Sequence, residues 1–424
     1  MKKIEEQIIS AMRAKPGAGF YAVVIISLIL TGIGVYCSVQ TIYAGVGCWG
    51  INNQHNWGVS IVNFVWWIGI GHAGTFISAV LLLLRQNWRA PVFRLAETIT
   101  LFSILCAAFF PFIHLGRHAL FFYIFPYFNT RGIWVSFSSP LFWDMAAILV
   151  YLTVSLVFWY TELIPDLYWL RRNGIVRIRL PLFRWHNTIG QKMLHSRFTF
   201  FLASLATPLV ISVHSIVSID FAVSNVPGWN STIFPPFFVA GAVFSGFAMV
   251  QLFAVTARSS IGLADVITVH IIETMNKLLL ALSILISLCY LTEIIFAFLP
   301  GNEAERVVFV QRLSGSQIYS FYPMILLNSI MPLLFWFKRV RQSMVCTVII
   351  SLCVLAGMWL ERWIIVNGSL SVGYFRIHSV NYFPSFIEMG IFAGTLGFFI
   401  LMMTLAFRFL PMVSIYEINK QHAN

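Results

Sequence analysis

Residues 19–38 read GFYAVVIISLILTGIGVYCS, twenty positions without a charge. A helix rises 1.5 Å per residue, so this run spans the ~30 Å hydrocarbon core of a bilayer. It would satisfy every backbone polar group internally, as lipid demands. No clear small-residue cleavage site follows, so the run is read as a retained helix and not as a signal peptide.

Nine more apolar runs follow, at 58–84, 96–115, 141–163, 197–218, 235–257, 275–299, 319–337, 344–365 and 387–410. They are too long, and too free of alternation, to be barrel strands. Only 10% of the residues are charged and 59% are hydrophobic, too little charge to coat a water-soluble surface of 424 residues. The mean hydropathy is +0.84, and aromatics, at 16%, suit interfacial belts. The fold class is therefore an all-α integral membrane protein of about ten transmembrane helices. The expected division is an interfacial segment 1–18, a ten-helix domain 19–410 and a tail 411–424. Within the domain, 58–218 and 235–365 would form two four-helix bundles, with the first and last helices peripheral.

The basic residues orient the chain. With the N-terminus inside, 21 of the 27 Lys and Arg fall on that side. The other six are Arg117, Arg131, Arg306, Arg312, Arg362 and Arg376. That asymmetry places both termini in the cytoplasm. It also accounts for the net charge of +12 without nucleic acid. The stretch 171–197 holds the largest basic cluster and is read as a topology determinant in preference to a lipid-headgroup site. Near the N-terminus Ile4, Ile8, Ile9 and Met12 share a helical face, which would lie on the cytoplasmic interface or dock on a neighbour.

The six cysteines contain no C-x-x-C and no C-x-x-C-H, which leaves no motif for a covalent haem or an iron–sulfur cluster. Cys37 and Cys48 fall in one expected external segment and can pair or stay as thiols. His72, His214 and His270 are expected at different depths, so no bis-histidine haem pair emerges. No metal or haem is expected in this chain.

Polar residues at membrane depth are costly and mark functional candidates. The third span ends His114-Leu115-Gly116-Arg117-His118, with His114, Arg117 and His118 spaced to share a face. The fourth begins near Asp144. Both lie at the outer end, as do Asp220, Glu293, Glu361 and Arg362. An adjacent antiparallel pair would bring His114 and Asp144 into one outer pocket, with Phe110, Phe121, Phe122 and Trp143 as ring contacts. A histidine and a carboxylate there suit quinol chemistry, because a quinol sheds two protons as it loses two electrons. The structural alternatives are a helix cap for His114, interfacial anchors for Arg117 and His118, and a dipole contact for Asp144. His72, with Thr75 and Ser78, is either a rung of a proton path or an interhelical hydrogen-bonding group beside Gly71 and Gly74. The charges gather at one face, unlike the mid-membrane helix breaks of many secondary transporters. A structural anchor is the remaining alternative.

The stretch 69–94, GIGHAGTFISAVLLLLRQNWRAPVFR, followed by Ala96-Glu97, resembles the NrfD/PsrC-like membrane subunits of bacterial respiratory complexes. The likeness continues through 111–117 (PFIHLGR), 139–144 (SPLFWD), 163–167 (LIPDL), 227–236 (PGWNSTIFPP) and 359–362 (WLER). Within that family it is most similar to the ten-helix quinol-site subunit of alternative complex III. The resemblance implies a subunit that oxidises menaquinol or ubiquinol near the outer face of the bacterial inner membrane. It implies electron transfer to a periplasmic iron–sulfur subunit and then to c-type cytochrome subunits. It also implies a second NrfD-like membrane subunit and proton translocation. His114 and Asp144 match the family's quinol ligands, and Arg117, Asp220 and Arg362 are the further quinol-binding positions. Asn230 stands where a histidine is expected, which removes a protonatable group there. A quinone-site anchor of a molybdopterin oxidoreductase is the alternative within the family.

Overall fold

The computed structural model describes residues 9–10, 12, 15–125, 137–175, 185–260, 262–300, 303–372 and 382–418. Most of the segment 1–18, Arg131, Arg177, Arg179, Arg184, Arg376 and the end of the tail lie outside them. Ten helices among the described residues are long and apolar enough to cross a membrane. They are α1 Ala18–Ala44, α2 Gly58–Leu83, α3 Phe93–His114, α4 Pro140–Arg172, α5 Ile189–Ala222, α6 Phe234–Ser260, α7 Val269–Ala297, α9 Ile318–Trp336, α10 Met344–Val372 and α11 Phe386–Phe409. The chain is an all-α, multi-pass membrane protein. One helix has no counterpart among the expected spans. This is α8, Glu303–Ser314, a short polar helix that buries Val308, Phe309 and Arg312.

Start signals in the sequence explain several boundaries. Thr188, Thr268 and Ser343 each accept a backbone N–H from the first turn of α5, α7 and α10. Ser385 and Glu388 form a capping box on α11. Glu388 also accepts the Gly50 N–H at 2.7 Å and the Tyr382 hydroxyl, so it ties the segment after α1 to the start of α11. The helices α4 and α5 outrun the apolar runs because their polar ends continue the helix past the hydrocarbon.

Packing separates core from rim. In α2, α3 and α6 more than three quarters of the apolar stretch is buried, against 17% in α1. The core helix α2 packs on α3 and α6, α4 packs on α5, and α6 packs on α10. Close approach needs missing side chains. A Cβ at Gly74 would run into the Ala96 carbonyl and Thr100 of α3. Gly34 of α1 likewise meets Gly394 of α11, and Gly390 meets Cys37. Such small-residue contacts let helices associate where lipid supplies no hydrophobic drive. Cys37 thus lies within α1 and not in an external segment, and both Cys37 and Cys48 are free thiols.

Three π-helical segments interrupt α2, α9 and α10, at Phe76–Val80, Leu326–Ile330 and Ile364–Gly368. A π-turn disturbs the regular carbonyl ladder, and neighbouring side chains serve the exposed oxygens. Trp229 donates to the Ile365 carbonyl at 2.5 Å, Gln317 to Gly368 at 2.5 Å, and Ser283 to Asn328 at 2.7 Å. Because α10 continues through its π segment to Val372, Glu361 and Arg362 lie inside the helix.

Candidate functional site

The helices alternate in direction, so α3 ends where α4 begins and α5 ends. His114 is the last residue of α3, Asp144 lies near the start of α4, and Asp220 lies near the end of α5. The carboxyls of Asp144 and Asp220 meet. Two carboxylates only accept hydrogen bonds, so this contact holds when one of them carries a proton. The second Asp144 oxygen, Oδ1, is buried without a hydrogen bond among the described residues, and so is His114 Nδ1. The His114 ring rests 5.7 Å from the Trp49 ring, and Trp49 is fixed by its own bond to Thr41 at 3.0 Å. Two unpartnered polar atoms at one end of adjacent helices are what an incoming hydroxyl-bearing ring would satisfy.

The neighbours divide between lining and surface. Phe110 is buried, whereas Phe121, Phe122 and Trp143 are exposed at the same end. Arg117 is exposed. His118 turns back to the Ile113 carbonyl at 3.0 Å and so helps close α3. Asn230 is exposed beside the buried Trp229. Arg362 is fully enclosed, paired with Glu361 at 2.9 Å and lying 4.1 Å over the Phe238 ring. Glu361 in turn accepts from Tyr290, whose hydroxyl accepts from Asn328 at 2.8 Å. Arg362 therefore belongs to a bonded network in the α6–α10 region, within electrostatic reach of His214.

A second polar layer crosses the middle. The His72 and His214 rings are 4.8 Å apart, edge to face. This corrects the expectation of different depths: α5 runs on to Ala222, so His214 sits well inside the membrane. The two rings touch, with no space for a porphyrin between them. His270 is exposed at the opposite end of α7. Tyr151 stacks on His72 at 4.8 Å and donates within 2.9 Å of both Gly71 O and Thr75 Oγ1. His72 itself bonds the Ile68 carbonyl through Nδ1, while its Nε2 and both nitrogens of His214 have no hydrogen bond among the described residues. Ser78 bonds the Thr75 carbonyl at 3.3 Å and lies against Glu97.

The third layer lies at the end where α3 begins. Arg94 pairs with Asp166 at 2.5 Å and donates to the Glu162 carbonyl at 2.6 Å. Glu97 and Glu162 are buried, with no hydrogen bond to either carboxyl group among the described residues. Arg89 lies 4.3 Å over the Phe93 ring and is buried as well. Arg89 and Arg94 are thus internal residues and not the solvated loop charges of a topology signal. Buried charges occupy both ends of the membrane domain, which corrects the expectation that they gather at one face.

These layers connect along one helix. Asp144, Tyr151, Ser155, Glu162 and Asp166 follow one another at seven and four residues, which puts them on one stripe of α4. The helical period would have revealed Tyr151, Ser155 and Glu162 from the sequence. His195, Glu97 and His214 join only through packing. No group of three or more metal-ligating side chains occurs among the described residues.

Ten apolar helices packed around buried polar side chains define a multi-pass membrane protein with a polar interior. Residues 49–373 match the family model described as polysulphide reductase, NrfD. The chain belongs to that family, and the family expected from the motifs is the one found. It is also similar to a putative membrane subunit of dimethyl sulfoxide reductase from Halobacterium salinarum. The two are 25% identical over 243 residues, 57% of this chain and 52% of the relative. The chain spans about half the length of that curated relative.

Proposed function

We propose that this chain is the quinol-binding membrane subunit of a respiratory quinol:electron-acceptor oxidoreductase of the alternative complex III type. The observation that carries the reading is the pair of buried, unpartnered atoms, His114 Nδ1 and Asp144 Oδ1. A hydroquinone would place one hydroxyl on each. On oxidation it yields quinone, two protons and two electrons. His114 takes one proton as a general base and the Asp144–Asp220 pair takes the other. The electrons leave to a periplasmic iron–sulfur subunit and then to c-type cytochrome subunits. Arg117 and Asp220 frame the pocket in this reading, and Arg362, held in the α6–α10 network, is the further quinol-binding position. The seam through Tyr151, His72, Thr75 and Ser78 toward Glu97 supplies a proton path, and the membrane part includes a second NrfD-like protein.

A photoreactive quinone carrying its isoprenoid tail tests the site. Cross-links are expected on the ends of α3 and α4 and are expected to be competed by unlabelled quinol. Labelling confined to other helices would remove the assignment. The sidedness is tested separately: a reporter joined after Asn424 should be active in the cytoplasm of a bacterial host. A reporter active only in the periplasm would reverse the orientation and put the site on the wrong face.

A second reading, a quinone-site anchor of a molybdopterin oxidoreductase, is favoured by the similarity to the Halobacterium protein. The partner recovered on gentle solubilisation separates the two. Multihaem c-type cytochromes support the first, and a molybdopterin protein supports the second.

A further inference from the structure

A cavity of about 340 Å³ opens between α4 and α5, at the opposite end from His114. Ile164, Trp185, Leu194 and Phe198 give it an apolar lining, and Gln191 and His195 add polar edges. His195 is 7% exposed, and its Nε2 bonds the Thr161 carbonyl at 3.0 Å. The quinol reading uses none of these residues.

The exposed charges that flank the lining on α4 and α5 are basic, while Glu417 follows Tyr416, which packs on Trp185 and His195. On α4 the lining face of Thr161 and Ile164 continues at helical spacing to Tyr168, Arg171 and Arg172. On α5 the lining face is flanked by Lys192 and Arg197. All four cations are exposed. The acids of α4, Glu162 and Asp166, lie on its other side, where Asp166 is held by Arg94. The first turn of α5 adds its backbone N–H groups and the positive end of a 34-residue helix. The first two turns of α5 expose Ile189, Met193 and Leu194, as a helix entering a lipid interface does. An apolar slot beneath a cationic rim at the membrane surface matches an amphiphile with an acyl chain and an anionic head. A free anion would have no use for the slot, and a neutral lipid none for the rim.

We propose that this cavity binds an anionic phospholipid. Its phosphate lies between Arg171, Arg172 and the first turn of α5, and an acyl chain lies on Ile164, Leu194, Phe198 and Trp185. The basic stretch that orients the chain then also holds a specific lipid.

The test uses the full chain in its purified complex, stripped of lipid in detergent and offered equal phosphatidylglycerol and phosphatidylcholine. Retained lipid is counted by native mass spectrometry. The wild type is expected to keep phosphatidylglycerol about tenfold over phosphatidylcholine, in line with the attraction of two or more basic side chains. Arg171→Gln with Arg172→Gln should abolish that preference. Leu194→Trp, which fills the slot, should lower retention of phosphatidylglycerol with the rim intact. Lys338→Gln with Arg339→Gln, exposed cations after α9, should change nothing. The proposal falls if the wild type shows no preference. It also falls if the preference survives the Arg171/Arg172 change, if the Lys338/Arg339 change removes it equally, or if glycerol phosphate competes as well as the whole lipid.

Discussion

Replacing Asp144 by asparagine is expected to lower quinol oxidation by the assembled complex on the order of 10²-fold, the usual contribution of a general base. Asparagine keeps the size of the side chain and can still donate to Asp220, so the α4–α5 contact survives. It cannot take a proton from a hydroxyl. His114→Ala is expected to act in the same direction, because it removes the unpartnered Nδ1 while Trp49 stays anchored by Thr41. If both serve one two-proton event, as proposed, the double variant should be little worse than either single one, because such effects do not add. Turnover is measured with a soluble quinol in membranes, beside a native gel that reports assembly. Full turnover in both single variants would end the assignment. Lost assembly with proportionate activity in what remains would point to structure instead of catalysis.

The second large effect concerns stability. Asp166 accepts from Arg94 on one oxygen and from the Tyr416 N–H at 2.8 Å on the other. Arg94 also reaches Pro411 O at 3.4 Å. This buried pair joins α3, α4 and the segment after α11. Removing one partner leaves a lone charge in a low-dielectric interior, at a cost of about 3–5 kcal/mol. Arg94→Ala or Asp166→Ala should therefore sharply reduce the protein found in the membrane and lower its unfolding temperature. Arg94→Ala combined with Asp166→Ala removes both charges and should be milder than either alone. Single variants as abundant and as heat-stable as the wild type would show that the pair adds nothing.

Some of this was readable along the chain. Each span is a local run of apolar residues, so the ten crossings and their order follow from composition. The N-caps at Thr188, Thr268, Ser343 and Ser385 are local as well. The helix α8 carries no such local signal, because it is polar, too short to cross, and packed only through Val308, Phe309 and Arg312. The polar stripe of α4 is present as a helical period, but it mixes charged residues with Tyr151 and Ser155, so charge alone does not outline it. Arg89 and Arg94 look like loop cations because they border an apolar run. Only Asp166, four residues past Glu162 on another helix, shows that Arg94 turns inward.

The sequence by itself determined that this chain lies in a bilayer, how many times it crosses, and which end of α3 and α4 carries His114 and Asp144. Hydrophobicity is a property of each segment, and antiparallel alternation follows from short connections. Tertiary structure decided which helices touch. It set Asp220 against Asp144, His214 against His72, and Glu97 near Glu162, because rotation of a helix about its axis is set by the neighbours it packs against and not by its own composition.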